Sequence, residues 1–416
     1  LVRATMLLLA ASLARGHSGA RPAVVELLLA MLEARLHPVV PSIGSVGASG
    51  DLAPLAHLAL SLLGEGTITG PDGAPREAAE ALAEAGLRPV ALEAKEGLAL
   101  LNGTHLMAAM ASLAVHDADR LLASAIGAAA MALDACRGTD VPYDPRIQLV
   151  RGQSGQLEVA ARLRSMLAGS RIVAAHREDD PRVQDPYCLR CVPQVLGAAM
   201  DGITHVRRIV EDELGAVSDN PLVFPPEPGA DPATGDILSG GNFHGMPLAI
   251  ALDHLALCLC HVAGIAERRI YWILAAHDPE NPVRPSMSPH PGLHSGLMIT
   301  QYTAAACCNE LQQLASPASV ANVPTSAGVE DYNSFGPAAG LQARRALERA
   351  RTVIAIEYLV MAEGLEYQRP LRSGDAVERL HDRVRSAVPP LTADRPPAPD
   401  IAALERLLDA GELVPA

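Results

Sequence analysis

Residues 44–57 read GSVGASGDLAPLAH, a glycine-rich loop that runs directly into an apolar helical pattern. The loop holds the tripeptide Ala48-Ser49-Gly50, and we expect a helix to begin just after it. Taken alone, this tripeptide predicts only a plain turn, because a chain rich in Ala and Gly produces it by chance. The residues around it justify a chemical interpretation as well.

The tripeptide can become an electrophile through its own backbone. If the backbone nitrogen of Gly50 attacks the carbonyl carbon of Ala48, a five-membered ring closes, and dehydration then turns the Ser49 side chain into an exocyclic methylene. Glycine suits the attacking position because the missing Cβ lets the backbone take strained dihedral angles and approach closely. The positive end of a helix that begins after Gly50 would stabilise negative charge on such a ring.

Further segments on both sides of this loop belong to the same pattern. They are KEGLALLNGT at 95–104, QDPY at 184–187, SGGNFHG at 239–245, PASV at 317–320 and Glu330-Asp331. In this order and at this spacing, the segments resemble the signature of the histidine/phenylalanine/tyrosine ammonia-lyase family. The resemblance covers most of the 416 residues.

The resemblance implies a fold, a cofactor and an assembly. The fold is an all-α bundle of long helices, of the ammonia-lyase (fumarase/aspartase-like) type. The cofactor is 4-methylidene-imidazol-5-one, formed from Ala48, Ser49 and Gly50 with no metal. The assembly is a homotetramer with active sites shared between subunits. Because the chain begins with Leu1 inside a predicted helix, we expect an upstream segment with a catalytic tyrosine to be missing.

Three polar residues have roles by resemblance. Asn102 would hydrogen-bond the cofactor ring, and turn capping is its alternative role. Tyr187 and Arg190 would share a face of a helical turn because they are three residues apart. Arg190 would clamp the substrate carboxylate, a bidentate task that suits guanidinium, and Tyr187 would lie near the reacting carbon. The alternative for Arg190 is a surface ion pair with Asp185.

The resemblance also implies roles for Gln184, Phe243 and Glu330. Phe243 would pack beside the ring and Gln184 would hydrogen-bond nearby, although ordinary core or turn roles stay open for both. Glu330 resembles the histidine-specific members, since phenylalanine-specific members usually have Gln there. A carboxylate can pair with an imidazole or act as a base, and a solvated surface acid is the alternative.

The expected reaction is therefore elimination of ammonia from L-histidine to give urocanate by a carbon–nitrogen lyase. Departures from the histidine-type pattern are YNSF at 332–335, Met246 and His105. A phenylalanine or tyrosine ammonia-lyase, an aminomutase and an inactive truncated scaffold remain as alternatives.

Composition and charge agree with an acidic helical enzyme. Hydrophobic residues make up 49% and aromatic residues 3% of the chain, and apolar residues recur at helical spacing over 24–36, 104–136 and 341–365. The net charge of −14 argues against nucleic acid or an anionic membrane as a partner, because either would require a basic patch. The resemblance implies a small amino acid as the substrate.

The seven cysteines do not form the pattern of a secreted disulfide framework, which predicts a cytoplasmic protein. Cys188 and Cys191 form a lone C-x-x-C pair without the second pair of a zinc site. The run 246–264 is predicted as a buried core helix, since Asp253 and His254 interrupt it too much for a membrane span. No signal peptide is visible.

Loops rich in Pro and Gly suggest three regions. Residues 1–60 would end an N-terminal catalytic domain that carries the cofactor-forming loop. Residues 61–388 would form the central helical bundle, and residues 389–416 a C-terminal arm and helix.

Overall fold

The structure is a computed structural model that describes residues 1–178, 180–226, 228–229, 231 and 234–415. Its α-helices are α1 (Val2–Leu13), α2 (Pro22–Glu33), α3 (Leu52–Leu62), α4 (Ala78–Glu84), α5 (Glu96–Leu101), α6 (His105–Ala135), α7 (Pro145–Arg151), α8 (Ser154–Leu167), α9 (Arg171–Ala175), α10 (Tyr187–Arg190), α11 (Val192–Leu214), α12 (Met246–Ala275), α13 (Met298–Leu314), α14 (Gly336–Gln368), α15 (Asp375–Ala387) and α16 (Ala398–Ala410).

The β-structure of the described residues is limited to short strands. They are β1 (His37–Pro38), β2 (Thr67–Thr69), β3 (Pro75–Glu77), β4 (Leu222–Phe224) and β5 (Asp236–Leu238). Strands β1, β2 and β3 form one antiparallel sheet in that order, and β4 pairs with β5 in a hairpin with Leu222 opposite Leu238. Helices therefore supply the fold, and the prediction of an all-α protein is confirmed.

The long helices follow from the sequence pattern. The apolar repeat over 104–136 is α6, a helix of 31 residues, and the repeat over 341–365 lies within α14, which has 33 residues. Helix α3 begins at Leu52, directly after the glycine-rich loop, as predicted. Alanine and leucine, two strong helix formers, recur throughout these helices.

Among the described helices, α12 alone is long and apolar enough to cross a membrane by length and composition. Its most apolar window has a mean hydropathy of 1.9, but 67% of that window is buried inside the protein. Its residue Asp253 is buried and accepts hydrogen bonds from the backbone N–H groups of Ala318 and Ser319, at 3.0 and 2.9 Å. A core helix of a soluble protein has the same character, so its length and composition are weak evidence for a membrane.

The chain forms two compact units. The first comprises Leu1–Ala114, Val206–Asp253 and Pro317–Arg344, and the second comprises Val115–His205, His254–Ser316 and Arg345–Ala416. Each unit is assembled from separate stretches of sequence. The division at residues 60 and 388 stays a prediction.

The core of the first unit fixes the helices on which the glycine-rich loop depends. Met6 of α1, Leu28 of α2, Leu58 of α3, Ile68 of β2 and Leu100 of α5 belong to one buried apolar cluster. Burying such side chains contributes about 1.5–3 kcal/mol each. The cluster thereby sets the positions of α3 and α5, whose ends carry the residues of the candidate site.

In the second unit, α8 and α15 pack through apolar stripes. Val159 and Leu163 of α8 and Val377 and Val384 of α15 are fully buried. The spacings of four and seven residues keep each stripe on one helix face.

Candidate active site

The glycine-rich loop has an unusual backbone. Gly47, Ser49 and Gly50 all have positive φ, at 80°, 49° and 85°. A non-glycine residue in this region is uncommon and costs conformational energy. Hydrogen bonds with Gly103 and Glu330 hold Ser49 in this conformation, so the backbone of the loop is constrained before ring closure.

Gly103 locks this loop from the neighbouring turn. Its N–H donates to the Ser49 carbonyl at 3.3 Å, and its own carbonyl accepts from the N–H of Asp51 at 2.8 Å. A Cβ at Gly50 would overlap the Gly103 carbonyl oxygen. Glycine is therefore required at position 50 for packing, in addition to the chemical reason given by the sequence.

Asp51 connects the loop to the start of α6. Its carboxylate accepts hydrogen bonds from the N–H groups of Leu106 and Met107 at 2.8 and 3.1 Å, which are free donors of the first turn of that helix. Burial raises the pKa of Asp51 to about 7. Sequence reasoning missed this residue, although its place beside Gly50 in the motif was a signal.

Ser49 and Glu330 are brought together although 281 residues separate them. The Ser49 hydroxyl donates to Glu330 Oε1 at 3.2 Å, and Glu330 Oε2 accepts from the hydroxyls of Thr325 and Ser326 at 2.9 and 2.7 Å. The Ser326 hydrogen bond, then those of Thr325 and Ser49, lower the pKa of Glu330. The carboxylate is half-buried and oriented by these hydroxyl groups, unlike a freely solvated surface acid.

The segment that carries Glu330 is fastened to the glycine-rich loop. The Phe335 N–H donates to the Val46 carbonyl at 3.0 Å, and the Thr325 N–H donates to the Glu330 carbonyl at 2.8 Å. A Cβ at Gly47 would overlap the Ser334 hydroxyl. Close packing therefore holds Glu330 beside the tripeptide.

His244 secures the same segment from the turn before α12. Its Nε2 lies 3.0 Å from the Tyr332 carbonyl, and its Nδ1 accepts from the Met246 N–H at 3.4 Å. A carbonyl only accepts, so Nε2 carries the proton. Sequence reasoning named the neighbouring Phe243, which is half-buried on this turn, but missed His244 in the same motif.

Asn102 is buried at the C-terminal end of α5. Its Nδ2 donates to the Leu98 carbonyl at 2.9 Å, and its backbone N–H donates to the same carbonyl at 3.0 Å. This is the capping contact that the sequence left open as an alternative. The residue directly precedes Gly103, so the cap also brings Asn102 next to the turn that contacts Ser49.

The remaining predicted residues lie in the second unit. Tyr187 and Arg190 belong to α10, the single helical turn that the spacing predicted. Tyr187 is 69% exposed, and Gln184 is exposed just before the helix. Two buried side chains hold the backbone of α10. The Cys188 carbonyl accepts a hydrogen bond from Arg269 at 3.2 Å, and the Leu189 carbonyl accepts one from Tyr143 at 2.7 Å.

Arg190 has no ion pair or hydrogen bond through its guanidinium within the described residues. It lines a pocket of about 240 Å³ together with Gln184. Asp185 instead accepts from the Thr139 N–H at 2.7 Å and lies 3.4 Å from Arg182. The ion pair between Arg190 and Asp185 is therefore not formed, and the guanidinium is free to bind an anion.

The C-x-x-C pair shows no sign of redox or metal chemistry in the part of the chain that the structure describes. All seven cysteines are free, and burial raises the pKa of Cys188 to about 11. A thiol with such a pKa is a poor nucleophile at neutral pH. No group of three or more His, Cys, Asp or Glu side chains among the described residues is arranged to hold a metal.

Comparison with known proteins gives a consistent result. The model of the aromatic amino acid lyase family matches residues 1–386. Histidine ammonia-lyase from Anaeromyxobacter dehalogenans is 50% identical over 99% of this chain and 80% of its own length. The enzyme of that name from Deinococcus radiodurans is 49% identical over 99% of this chain and 77% of its own length.

Solved structures agree with these sequence relatives. Histidine ammonia-lyase from Trypanosoma cruzi superposes with a TM-score of 0.90 at 38% identity, over 99% of this chain and 76% of that one. Tyrosine aminomutase from Streptomyces globisporus has a TM-score of 0.88 at 35% identity, over 99% of this chain and 80% of that one.

Proposed function

The chain belongs to the aromatic amino acid lyase family, and from this premise we propose that it is a histidine ammonia-lyase, which converts L-histidine into urocanate and ammonia. The observation that carries the assignment is the identity of 47–50% to curated histidine ammonia-lyases over nearly the whole chain. The chain is accordingly a carbon–nitrogen lyase.

The reaction defines what the site must supply. The Cα–N bond breaks with its electron pair leaving on nitrogen, a proton leaves Cβ, and a Cα–Cβ double bond forms. The Cβ proton is scarcely acidic, so a positioned base is needed. Glu330 suits this task because its carboxylate is ionised, oriented by hydroxyl groups and 3.2 Å from the Ser49 hydroxyl.

The electrophile is proposed to be methylidene-imidazolone formed from Ala48, Ser49 and Gly50. The residues fit the group, since Ser49 and Gly50 already have positive φ and a Cβ at Gly50 would overlap its neighbour. Once formed, the group supplies an electrophilic methylene for cleavage of the C–N bond. Helix α3, which begins two residues after Gly50, directs its positive N-terminal end toward this loop.

The other site residues are proposed to bind and orient the substrate. Arg190 takes the carboxylate in a bidentate contact, which its unpaired guanidinium supports. Tyr187 lies near the reacting carbon, and Gln184 hydrogen-bonds close by. Asn102 and Phe243 contact the ring made from the tripeptide.

Histidine is favoured over phenylalanine because position 330 is Glu. A carboxylate pairs with an imidazole but gains nothing from a phenyl ring, and burying it against one without a partner is costly. The second candidate is a tyrosine lyase or aminomutase, which is supported by the aminomutase likeness and by the segment YNSF at 332–335, which departs from the histidine-type pattern.

The test is turnover of L-histidine, L-phenylalanine and L-tyrosine by the purified protein. We expect urocanate from L-histidine, seen by its ultraviolet absorbance, and little cinnamate or coumarate. Formation of cinnamate, coumarate or a β-amino acid in preference to urocanate would reject the histidine assignment. No product from any of the three would support the inactive scaffold.

A homotetramer with shared sites is the proposed assembly. Large apolar side chains are exposed near the loops of the first unit, with Ile43 85%, Val320 78% and Val329 85% exposed. In the second unit, Val183 is 100% exposed close to Tyr187. A second copy of the chain that covers these side chains would remove their apolar surface from water and exclude water from the site.

Shared sites can be tested by mixing variants. Ser49→Ala and Arg190→Ala should each be inactive alone, but hybrids of the two should regain part of the activity if one subunit supplies residue 49 and another residue 190. Hybrids that stay inactive, or a monomeric native mass, would contradict the shared assembly.

We propose a cytoplasmic location, in keeping with the free thiols of the described cysteines. Cell fractionation tests this directly, and recovery of the protein in the soluble cytoplasmic fraction is expected. Recovery with membranes or outside the cell would contradict the proposal.

A further inference from the structure

Lys95 is the only lysine among 33 lysine and arginine residues in the chain. A sequence that otherwise uses arginine at every basic position keeps an ammonium here. The two side chains are not interchangeable, since lysine is a compact point charge and arginine a wide planar fork. The environment of this one residue therefore calls for a specific explanation.

The Lys95 ammonium donates hydrogen bonds to two oxygen atoms. It donates to Asp219 Oδ2 at 2.5 Å and to the Ser18 carbonyl at 3.0 Å. The side chains of Lys95 and Asp219 are 15% and 1% exposed. A Cβ on Gly19 would lie only 3.3 Å from Lys95 Cγ, so the stem is confined as well. The space accepts a narrow side chain with a small cationic head.

Asp219 connects the ion pair with Lys95 to the turn 102–104, which follows α5. The preceding residue, Ser218, accepts a hydrogen bond from the Thr104 N–H through its hydroxyl at 3.2 Å. A Cβ on Gly103 would lie 2.9 Å from that hydroxyl. Thr104 also donates through its own hydroxyl to Glu213. The turn 102–104 is thus fixed on one side by residues 213–219.

The other side of the same turn holds the glycine-rich loop. Gly103 bonds to Ser49 and Asp51, at 3.3 and 2.8 Å. A continuous set of contacts therefore leads from the Lys95 ammonium, through 218–219 and 103–104, to the tripeptide at 48–50. Loss of the ion pair would leave the Asp219 carboxylate buried without its cation and free residues 218–219 to shift.

We propose that Lys95 is a positioning residue, whose ion pair with Asp219 fixes the turn 102–104 against the loop 48–50 and so controls maturation of Ser49 and the rate of deamination. This inference rests on the proposed function. Lys95 acts through Asp219 and Gly103 and does not itself contact the tripeptide.

The test compares Lys95→Met with Arg21→Met. Arg21 forms an ion pair with Glu96, the residue next to Lys95, at 2.8 Å but makes no contact with 218–219 in the described structure. We expect Lys95→Met to reduce the matured fraction of Ser49, or kcat per matured site, by about tenfold to a hundredfold, because small displacements in a site have effects of that size. Arg21→Met should leave both within about twofold of the wild type.

A double variant separates positioning from simple stability. Lys95→Met with Asp219→Asn removes the unpaired buried charge and should recover thermal stability, but it should not recover maturation or kcat. Recovery of all three together would overturn the proposal, as would a folded Lys95→Met protein with full maturation and wild-type kcat. If Lys95→Met does not fold, the double variant alone decides between these outcomes.

Maturation is read from the mass of the tryptic peptide 36–76, which contains the tripeptide and is free of internal Lys or Arg. This readout does not depend on the substrate. A wild-type protein that matures but makes no urocanate would reject the histidine assignment, while the effect of Lys95 on maturation would still be measured.

Discussion

At the level of single residues, the candidate site is partly readable from the sequence. Ala48, Ser49 and Gly50 follow from a local motif, because ring closure needs three consecutive residues of particular size. The hydroxyl groups of Thr325 and Ser326 that orient Glu330 could not be predicted, since their contacts depend on how the segment 325–335 folds back on itself. A short motif is therefore enough to predict the tripeptide, whereas the hydrogen-bond partners of Glu330 depend on tertiary packing.

Ser49→Ala should abolish activity and leave the fold intact. Alanine has no hydroxyl to eliminate, so the methylene cannot form. The hydrogen bond from the Ser49 hydroxyl to Glu330 exists only before maturation, and its loss costs only about 0.5–1.5 kcal/mol in the unmodified protein. Urocanate production and thermal unfolding measure the two effects. Ser42→Ala, which changes an exposed serine of the same loop region, is the control and should be active. A Ser49→Ala protein with substantial turnover would contradict the role of this serine.

Glu330→Gln should lower kcat by about a hundredfold to ten-thousandfold, the usual effect of losing a general base. The neighbouring exposed Asp331→Asn is the matched control. Because hydrogen bonds from hydroxyls lower the pKa of Glu330, the carboxylate stays ionised as the pH falls to the ordinary glutamate range. The acidic limb due to Glu330 should therefore lie below the pH range in which an ordinary glutamate titrates. A kcat that Glu330→Gln leaves unchanged would exclude Glu330 as the base.

At the level of elements, the sequence predicted α6 but not what caps it. The apolar repeat over 104–136 specifies a helix, whereas the cap is Asp51, a residue from the start of α3. A capping side chain usually lies next to its helix in sequence, and this one does not. The short strands were missed for a related reason, because segments of two or three residues are too short for alternation to show.

Asp51→Ala should lower the free energy of unfolding by about 1–3 kcal/mol, since it leaves two buried N–H groups of α6 without an acceptor. Asp51→Asn keeps an acceptor oxygen and should cost less. Urea unfolding of both variants against the wild type measures the difference. Equal stability of the Ala variant and the wild type would show that the cap contributes nothing.

At the level of the whole molecule, the family resemblance predicted the all-α fold, but the two compact units could not be read from the sequence. Each unit combines three separate stretches of chain, so no boundary appears as a single linker. For the same reason, the sequence places Gln184, Tyr187 and Arg190 in the site only by resemblance. Their participation depends on the proposed assembly of several copies.

The buried carboxyl of Asp134 should make the free energy of unfolding of the whole protein depend on pH. Its carboxyl is fully buried on α6 and accepts from the Ser170 hydroxyl at 2.8 Å, and burial raises its pKa to about 7. A group whose pKa rises on folding adds stability that is complete below the pKa of the unfolded chain, about 3.9, and is lost as the pH rises through about 7. The loss amounts to at most about 4 kcal/mol.

Asp134→Asn should remove this dependence. The variant should match the wild type near pH 3, below the pKa of the unfolded chain, and be more stable near pH 8, where the wild type must bury a charge. Asp117→Asn, at an exposed position of the same helix, should change neither value. Denaturant unfolding at the two pH values measures the effect, and identical pH profiles for Asp134→Asn and the wild type would contradict it.

The central claim is that Ala48-Ser49-Gly50 becomes the electrophile with which the protein deaminates histidine. The most direct test is the mass of the tryptic peptide 36–76 from protein that turns over L-histidine. Ring closure and dehydration each release water, so the peptide should be lighter than its sequence by two water molecules. A peptide of unmodified mass from protein that produces urocanate would contradict the claim.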